Sequence, residues 1–322
     1  MTLLIDEACI KRLITMGDAL SAVEEVFKAQ AEGGVVNVPR LRVPLKGGTL
    51  RVTTGVLSYR GYYGVKISST AIFGSTAGRL FCLYKEASGQ LVAIVQVFAM
   101  GAMRTGAASG IASKYMSNPE SSVLGVVGSG RQAETQVKAI CAVRSIRQIQ
   151  VFSPHPDRCR DFCQRLESQI GIPLQAVESA ERAVRGAHIV VSATASEKPV
   201  VLGHWLSPGV HINAIGANFE HRRELDREAV LAAQCIGADD IEQVRYESAD
   251  LFDPVNAGLL DWTQVHALSE IVSGRVVARR KQTDVTLFKS LGVAMEDVAL
   301  AARAYEMALS LQEGVQLPNL AG

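Results

Sequence analysis

The chain has 322 residues, which is long enough to bury the cores of two domains. Hydrophobic residues make up 48% of it and the formal net charge is +1, a composition that is ordinary for a globular protein and creates no strong electrostatic field. We therefore expect neither nucleic acid nor a membrane surface as a partner.

The sequence carries neither a targeting signal nor a metal-binding pattern. Its first residues are followed at once by Asp6 and Glu7, unlike a secretory signal, and no apolar run approaches the roughly 18 residues of a membrane span. Cys159 and Cys163 lie one turn apart on a predicted helix without histidine partners, and the other cysteines show no paired spacing. We expect a cytoplasmic protein with reduced thiols and no bound metal.

Two kinds of hydrophobic periodicity organise the N-terminal part. Apolar residues recur at helical spacing in residues 18–32, which predicts an amphipathic helix. Further along, apolar and polar residues alternate, which predicts a mainly antiparallel sheet. Its strands are expected within residues 39–57, with a turn at Gly47-Gly48, and at residues 62–70, 79–86 and 91–98.

A change of pattern near residue 120 predicts where the domains meet. Residues 99–115 are rich in alanine and glycine and predict a closely packed helix, which Asn118-Pro119 ends. The domains expected from this pattern are residues 1–119, residues 120–290, and a C-terminal segment, residues 291–322, whose long helix at 293–312 returns to the first domain.

Strands and helices alternate through the second domain, which predicts an α/β fold with a doubly wound parallel sheet. The predicted strands are Val123–Val127, 149–152, Ile189–Ser192, His211–Ala214 and 235–237. The expected fold class is α/β, with a doubly wound parallel sheet of the Rossmann type joined to an N-terminal α+β domain that we expect the C-terminal helix to complete.

The glycine-rich segment after the first of these strands is the most informative feature. Gly128-Ser129-Gly130 follows Val123–Val127 and precedes a predicted helix at residues 132–143. Gly128 suits the tight turn, Gly130 lets the backbone approach phosphates, and the helix N-terminus offers unpaired N–H groups to an anion. The pattern predicts dinucleotide binding, although a purely structural strand–turn–helix unit has the same local features.

The residue that ends the second strand indicates which dinucleotide is bound. An acidic residue there accepts hydrogen bonds from the ribose of NAD and repels the 2′-phosphate of NADP. The chain has Ser153 instead, with His155 and Arg158 close behind to accommodate a phosphate. Asp157 argues for NAD(H), unless it caps the next helix, as the Pro156-Asp157 pair favours. We expect NADP(H) to be preferred, with NAD(H) possible.

Three cations in the first domain are candidates for binding a substrate. Lys66 lies on a predicted strand with apolar neighbours, Arg104 begins an apolar helix, and Arg40 lies in a Val-Pro-Arg segment. A cation on an apolar element is unfavourable unless it is paired or exposed. Each of the three either reaches solvent, pairs with a structural carboxylate, or binds an anionic substrate.

Five segments together resemble the ornithine cyclodeaminase/mu-crystallin family over nearly the whole chain. They are Gly-Val-Lys at 64–66, Met-Arg-Thr-Gly-Ala-Ala-Ser-Gly at 103–110, the glycine turn with Arg-Gln-Ala, Asn-Ala-Ile-Gly-Ala-Asn at 213–218 with Arg-Arg-Glu-Leu-Asp at 222–226, and Thr-Leu-Phe-Lys-Ser-Leu-Gly at 286–292. The resemblance implies a homodimer made through the N-terminal sheet domain, with the active site in the cleft between the domains.

The resemblance also implies roles for individual residues. Arg40, Lys66 and Arg104 would bind the substrate carboxylate, Lys66 would also move a proton, and Arg42 competes with Arg40. The expected cofactor contacts are Gly128, Ser129, Gly130, Arg131 and Gln132 at the pyrophosphate, Ser153, His155 and Arg158 at the ribose, Thr194, Ala214 and Gly216 along the nicotinamide half, and Thr76 and Thr105 from the other side.

Asn218 departs from the pattern of the cyclodeaminases, which have an aspartate at this catalytic position. Because an amide cannot take up a proton at neutral pH, ornithine cyclodeamination is disfavoured, while hydride transfer is not. A loop residue chosen for its turn geometry is the alternative interpretation of Asn218.

The function expected from these residues is NAD(P)H-dependent reduction of a small α-imino acid, or the reverse oxidation of an α-amino acid. Two alternatives stay open. One is an ornithine-type cyclodeaminase that uses bound NAD⁺ and releases ammonia. The other is a crystallin-like protein that binds NADP without turnover, which the complete set of cations argues against.

Overall fold

The structure is a computed structural model that describes residues 2–71, 78–219 and 221–318. The chain forms two compact units, here called the first and second units. The first consists of Met1–Arg104 and Gly292–Gly322, and the second of Thr105–Leu291.

Strands and helices are numbered in chain order. The strands are β1 (Thr2–Ile5), β2 (Val35–Leu45), β3 (Gly48–Leu57), β4 (Tyr62–Ala71), β5 (Arg79–Lys85), β6 (Leu91–Gln96), β7 (Val123–Val127), β8 (Gln148–Phe152), β9 (Leu174–Ala176), β10 (Ile189–Ser192), β11 (His211–Ala214), β12 (Ala233–Ala238), β13 (Val265–Ala267), β14 (Val285–Lys289) and β15 (Val315–Leu317). The helices are α1 (Glu7–Leu13), α2 (Met16–Ala31), α3 (Phe98–Met116), α4 (Arg131–Val143), α5 (Pro156–Ile170), α6 (Ala180–Val184), α7 (Arg227–Leu231), α8 (Ile241–Glu247), α9 (Ala249–Asn256), α10 (Leu268–Val272) and α11 (Ala294–Leu311).

Over the ranges that the structure describes, none of these helices has both the length and the hydrophobicity needed to cross a membrane. Over the same ranges, no group of three or more His, Cys, Asp or Glu side chains is arranged to hold a metal ion. All six cysteines are free thiols.

The first unit contains a seven-stranded sheet in the order β15-β1-β6-β5-β4-β3-β2. Its hairpins from β2 to β6 are antiparallel, as the alternating pattern predicts, while β1 joins β6 in parallel. Strands β1 and β15 were not predicted from the sequence, because four and three residues are too few for an alternating pattern to be recognised.

Helix α11 packs on this sheet because its sequence is rich in small residues. Alanine at half of its buried positions lets the helix approach β3 so closely that a Cβ added at Gly55 would lie 3.2 Å from the amide nitrogen of Met295. Its first turn is capped from β2, where the side-chain oxygen of Asn37 accepts hydrogen bonds from Ala294 and Met295 at 3.0 and 3.3 Å. The predicted helix at 293–312 is confirmed to within one residue at each end.

A bulge in β2 sorts its side chains between two faces. The pairing register with β3 shifts between Val38 and Leu41, so the exposed apolar residues before and after the bulge lie on one face. On the other face, Asn37 contacts the start of α11 and Arg40 contacts Gly292. The outward-facing residues, here called the apolar face, are Val36, Val38, Leu41, Val43 and Leu45, all exposed by 38–58%.

The second unit is built on an eight-stranded sheet in the order β13-β12-β14-β11-β10-β7-β8-β9, in which every pairing is parallel. Hydrophobic clusters lie on both faces: Ile189 and Val191 of β10 belong to one, with α4 and α5, and Val190 belongs to the other, with α6 and α7. The predicted doubly wound parallel sheet is confirmed.

The division between the units falls inside α3, whereas the domain boundary predicted at Asn118-Pro119 follows the end of this helix. The C-terminal part of α3 is bound into the second unit. The side-chain amide of Asn213 donates to the hydroxyl of Ser113 at 3.0 Å, and a Cβ at Gly106 would lie 2.5 Å from the carbonyl oxygen of Thr135. The second division lies between Leu291 and Gly292.

Candidate active site

Two of the predicted substrate-binding cations share a buried pair of acidic residues in the first unit. Lys66 on β4 forms an ion pair with Asp297 on α11. Arg104 on α3 donates from Nε to Asp297 at 3.1 Å and from Nη1 to Glu296 at 2.9 Å. Both carboxylates are fully buried. The pairing with structural carboxylates that the sequence left open is therefore present for both cations.

Arg40 completes this group, which is here called the cation cluster (Arg40, Lys66 and Arg104). Its Nη2 donates to the carbonyl oxygen of Gly292 at 2.7 Å, and its charge acts on Lys66. Arg42, the competing residue, lies opposite Arg51 in the register of β2 and β3. The contact of Arg40 with Gly292 and its electrostatic effect on Lys66 make Arg40 the better candidate for contact with a substrate.

Gly292 allows the two arginines to come together. Its φ of +76° lies in the left-handed region, and a Cβ there would lie 2.3 Å from Nη1 of Arg104. Its carbonyl oxygen meanwhile holds Arg40. A glycine is needed here both for the backbone conformation and for the space that the guanidinium fills.

Burial sets the protonation of Lys66. Removal from water lowers the pKa of Lys66 from its ordinary 10.5 to about 8; the charges of Arg104 and Arg40 add to this effect, and Asp297 opposes it. Burial alone would raise the pKa of Asp297, but Arg104 and Lys66 hold it below its ordinary value. Asp297 is therefore an anion near neutral pH, while Lys66 is able to exchange a proton there.

The cation cluster suits an anionic ligand. Its three side chains lie close enough for the charges of Arg104 and Arg40 to act on Lys66 in a largely buried environment. The carboxylate of a small molecule is an anion that arginine and lysine bind through charge-assisted hydrogen bonds. Glu296 and Asp297 were not predicted as site residues; the available signal was a pair of adjacent acidic residues in the first turn of a largely apolar helix.

The glycine turn of the second unit has the shape of a phosphate cradle. Gly128 has a φ of +114°, and a Cβ there would lie 2.5 Å from the carbonyl oxygen of Ala193. The space beside Gly130 is open, and α4 begins immediately after it with Arg131 and Gln132. Ser129 lies between the two glycines, so the predicted pyrophosphate residues are contiguous at the start of one helix.

Ser153 follows β8 directly and is 9% exposed. His155 is the N-cap residue of α5, and Arg158, in the first turn of that helix, lines one surface groove together with Ser129. The expectation that Asp157 caps α5 is wrong. Pro156 occupies the first helical position, so Asp157 falls inside the first turn, where its side chain pairs with Arg160 in solvent.

The residues predicted to line the nicotinamide half lie at the carboxyl ends of β10 and β11. Thr194 follows β10, and Ala214 ends β11 two residues before Gly216. A Cβ at Gly216 would lie 2.1 Å from the carbonyl oxygen of Thr194, so the two turns touch. Asn218, two residues after Gly216, is half-buried.

Of the two threonines predicted to contact the cofactor from the other side, only Thr105 lies among the residues that the structure describes. Thr105 is buried on α3, where its carbonyl oxygen accepts a hydrogen bond from Gln136 of α4 at 3.1 Å. Thr76 lies outside the described residues.

A parallel sheet with a glycine turn between its β7 strand and the following helix defines the class of Rossmann-fold dinucleotide-binding proteins. The sequence model of the ornithine cyclodeaminase/mu-crystallin family matches residues 2–312. The chain belongs to this family, which confirms the resemblance.

Relatives of known structure or activity match the chain from end to end. The alanine dehydrogenase of Archaeoglobus fulgidus is 32% identical over 323 residues, which cover 98% of both chains. The Delta(1)-pyrroline-2-carboxylate reductase of Thermococcus litoralis, solved with NADH and L-proline, is 32% identical with a TM-score of 0.94, covering 98% of this chain and 100% of that one. An archaeal alanine dehydrogenase dimer with bound NAD is 33% identical with a TM-score of 0.92, covering 98% and 99%.

Proposed function

We propose that the protein is a cytoplasmic NAD(P)H-dependent reductase of a small α-imino acid, which in the reverse direction oxidises the α-amino acid. The observation that carries this proposal is the cation cluster, in which a buried acidic pair orients Lys66 and Arg104 and the carbonyl oxygen of Gly292 orients Arg40. The relatives named above, which reduce an imine or oxidise an amino acid, support the same chemistry. The free thiols support a reducing compartment.

The arginines of the cluster would bind and orient the substrate. Asp297 and Glu296 fix Nε and Nη1 of Arg104, so the guanidinium plane has one orientation. An imino acid whose carboxylate binds to this guanidinium would therefore present one face of its C=N bond to the cofactor. Arg40, held by Gly292, would contribute the second positive charge. A carboxylate held by both charges has little freedom to turn.

Lys66 would supply the proton that the imine nitrogen gains during reduction. With a pKa of about 8 it holds a proton at neutral pH and releases it readily. Asp297, which stays ionised, would hold the ammonium in place. The bound nicotinamide supplies or accepts the hydride.

The residues of the second unit fit such a cofactor. The positive φ and the filled Cβ position of Gly128 form a tight turn, and the open space beside Gly130 leaves the amide groups at the start of α4 accessible to an anion. The buried strand ahead of the turn and the helix behind it complete the cradle.

An absorbance assay of NAD(P)H oxidation tests the proposed reaction. Cyclic imino acids, and 2-oxo acids mixed with ammonia or methylamine, are the substrates, and the same cyclic imines without the carboxylate are the controls. We expect oxidation only with the carboxylates. Ammonia release from ornithine with no net change of cofactor would instead indicate a cyclodeaminase, and binding of NAD(P)H with no turnover of any substrate would indicate a crystallin-like protein.

We further propose that NADPH is used at least as well as NADH, because Ser153 places no carboxylate beside the ribose and Arg158 shares a groove with Ser129. Ser153→Asp should shift preference toward NADH, since a carboxylate facing the 2′-phosphate weakens NADPH binding by roughly 1–3 kcal/mol. The ratio of kcat/KM with NADPH to kcat/KM with NADH measures this preference.

Ser145→Asp is the matched control for this change, because it adds the same charge at an exposed site ahead of β8, at the strand's opposite end. It should leave the ratio unchanged. A wild-type protein that strongly prefers NADH would contradict the proposed role of Ser153.

We also propose a homodimer formed through the apolar face of β2. Five exposed apolar side chains lie on this edge strand, and such a surface is typical of a protein–protein interface. The archaeal alanine dehydrogenase named above is a dimer. Leu41→Lys should yield monomers in sedimentation equilibrium. Leu259→Lys, at a similarly exposed position of the second unit (52% against 58%), should leave a dimer. A wild-type monomer would refute this assembly.

A further inference from the structure

Three ionisable side chains are buried together at the carboxyl edge of the parallel sheet. Glu224, Asp250 and Lys289 are exposed by 0%, 2% and 0%. Lys289 ends β14 and donates to Asp250 at 2.7 Å. The other oxygen of Asp250 accepts the backbone N–H of Glu224 at 2.7 Å and that of Leu225 at 3.0 Å. Together they hold the segment that carries Glu224.

The carboxylate of Glu224 joins the two turns that follow β10 and β11. Its Oε1 accepts from the backbone N–H and the hydroxyl of Thr194, at 2.6 and 2.8 Å. Its Oε2 accepts from the N–H groups of Gly216 and Ala217, at 2.5 and 3.2 Å. One carboxylate thus binds both turns, each through a different oxygen.

The peptide groups ahead of Asn218 are held on both sides. The N–H of Ala217 donates to Glu224, and its carbonyl oxygen accepts from the ammonium of Lys289 at 2.7 Å. A Cβ at Gly216 would lie 2.4 Å from Oε1 of Glu224, so the turn closes directly onto the carboxylate. The backbone that presents Asn218 therefore has little freedom.

Stability alone does not account for this arrangement. Burial raises the pKa of Glu224, and the charge of Asp250 adds to that effect, while Lys289 and the hydrogen bonds from Thr194 and Ser192 oppose it. Buried charges of this kind are often no more stabilising than apolar side chains of the same volume. They do fix geometry, because each hydrogen bond has a direction.

We infer that Glu224, supported by Asp250 and Lys289, is a positioning residue that fixes the turns carrying Thr194 and Asn218. Its effect on catalysis rests on the proposed function, in which these turns line the nicotinamide half. Its effect on the rigidity of the two turns does not depend on the proposed function. The turns and the catalysis are therefore tested by separate experiments.

The first test uses Glu224→Gln and amide hydrogen exchange without added cofactor. A glutamine has one acceptor oxygen, so its NH2 group faces the amides of one of the two turns. We expect the amides of Thr194, Gly216 and Ala217 to exchange at least about 10-fold faster, with the amides of β7 and α4 unchanged. Unchanged exchange at the two turns would overturn the inference.

Glu247→Gln is the matched control, since Glu247 is a buried carboxylate on α8 that accepts from Gln243 within its own helix. It should leave the two turns protected. If Glu224→Gln does not fold, Glu224→Asp carries the test, because it keeps the charge but is too short to reach both turns. Faster exchange at one or both turns is then expected, and full protection of both overturns the inference.

The second test measures kinetics on an imine that the wild type reduces. We expect kcat of Glu224→Gln to fall about 30-fold while the dissociation constant of NAD(P)H changes less than about threefold, because the phosphate turn is intact. The deuterium isotope effect on hydride transfer should rise toward its intrinsic value. Wild-type kcat in the variant would overturn the positioning role, whereas a wild type that reduces no imine would refute only the proposed function.

Discussion

Replacing Lys66 with methionine is expected to lower kcat for imine reduction by about 1000-fold, since a well-placed proton donor contributes roughly 100- to 10,000-fold. Methionine fills a similar volume but donates no proton. KM should change less than kcat, because Arg40 and Arg104 remain to bind the carboxylate. Steady-state kinetics at saturating NAD(P)H measure both constants.

The pH dependence of the wild type gives the same prediction a second readout. Reduction requires Lys66 to be protonated, and burial lowers the pKa of Lys66 to about 8. The rate of reduction should therefore fall as the pH rises through about 8, and the rate of the reverse oxidation should rise through the same range. Lys66→Met should lose both dependences.

Lys28→Met is the control, because Lys28 is ion-paired with Glu24 at 2.8 Å on the surface of the first unit. It should keep wild-type kinetics. If neither kcat nor KM changes in a folded Lys66→Met protein, Lys66 takes no part in the reaction.

Replacing Arg104 with lysine is expected to raise KM for the imino acid strongly and to lower kcat/KM by about 30- to 1000-fold, which corresponds to the roughly 2–4 kcal/mol of a charge-assisted bidentate contact. Lysine keeps the charge that balances Glu296 and Asp297 but lacks the planar fork of the guanidinium. Affinity for NAD(P)H should be unchanged.

Lysine is a better probe at this position than alanine. Arg104→Ala would leave two buried carboxylates with less positive charge near them, and breaking a buried pair destabilises a protein by about 3–5 kcal/mol. Arg60→Lys is the matched control, since Arg60 pairs with Glu306 at 2.5 Å in the same unit. Near-wild-type kinetics of Arg104→Lys on the true substrate would place Arg104 outside the substrate site.

The nucleotide fold was predictable because its signals are local. Gly128 and Gly130 lie between a buried strand and a helix that adjoin them in the chain, and the structure has both elements within one residue of the prediction. The central strand β14 was missed because Thr286 and Lys289 interrupt its apolar run, although both side chains are fully buried. Their partners, Met116 and Asp250, are distant in the sequence.

The candidate substrate site was only half predictable for a similar reason. Lys66 and Arg104 stood out as cations on apolar elements, but Asp297, their shared partner, lies 231 and 193 residues further along the chain. No local pattern assigns that pairing. The choice between Arg40 and Arg42 likewise depends on a contact with a distant residue, because Arg40 donates to Gly292, which lies 252 residues further along the chain.

The measurement that tests the proposed reaction most directly follows a single atom. Wild-type protein is mixed with an imino acid that it reduces and with NADPH or NADH that carries deuterium at the transferable position. We expect one deuterium on the α-carbon of the amino acid formed, with one cofactor oxidised per product. An amino acid formed without deuterium, or no product from any carboxylate-bearing imine, would contradict the account.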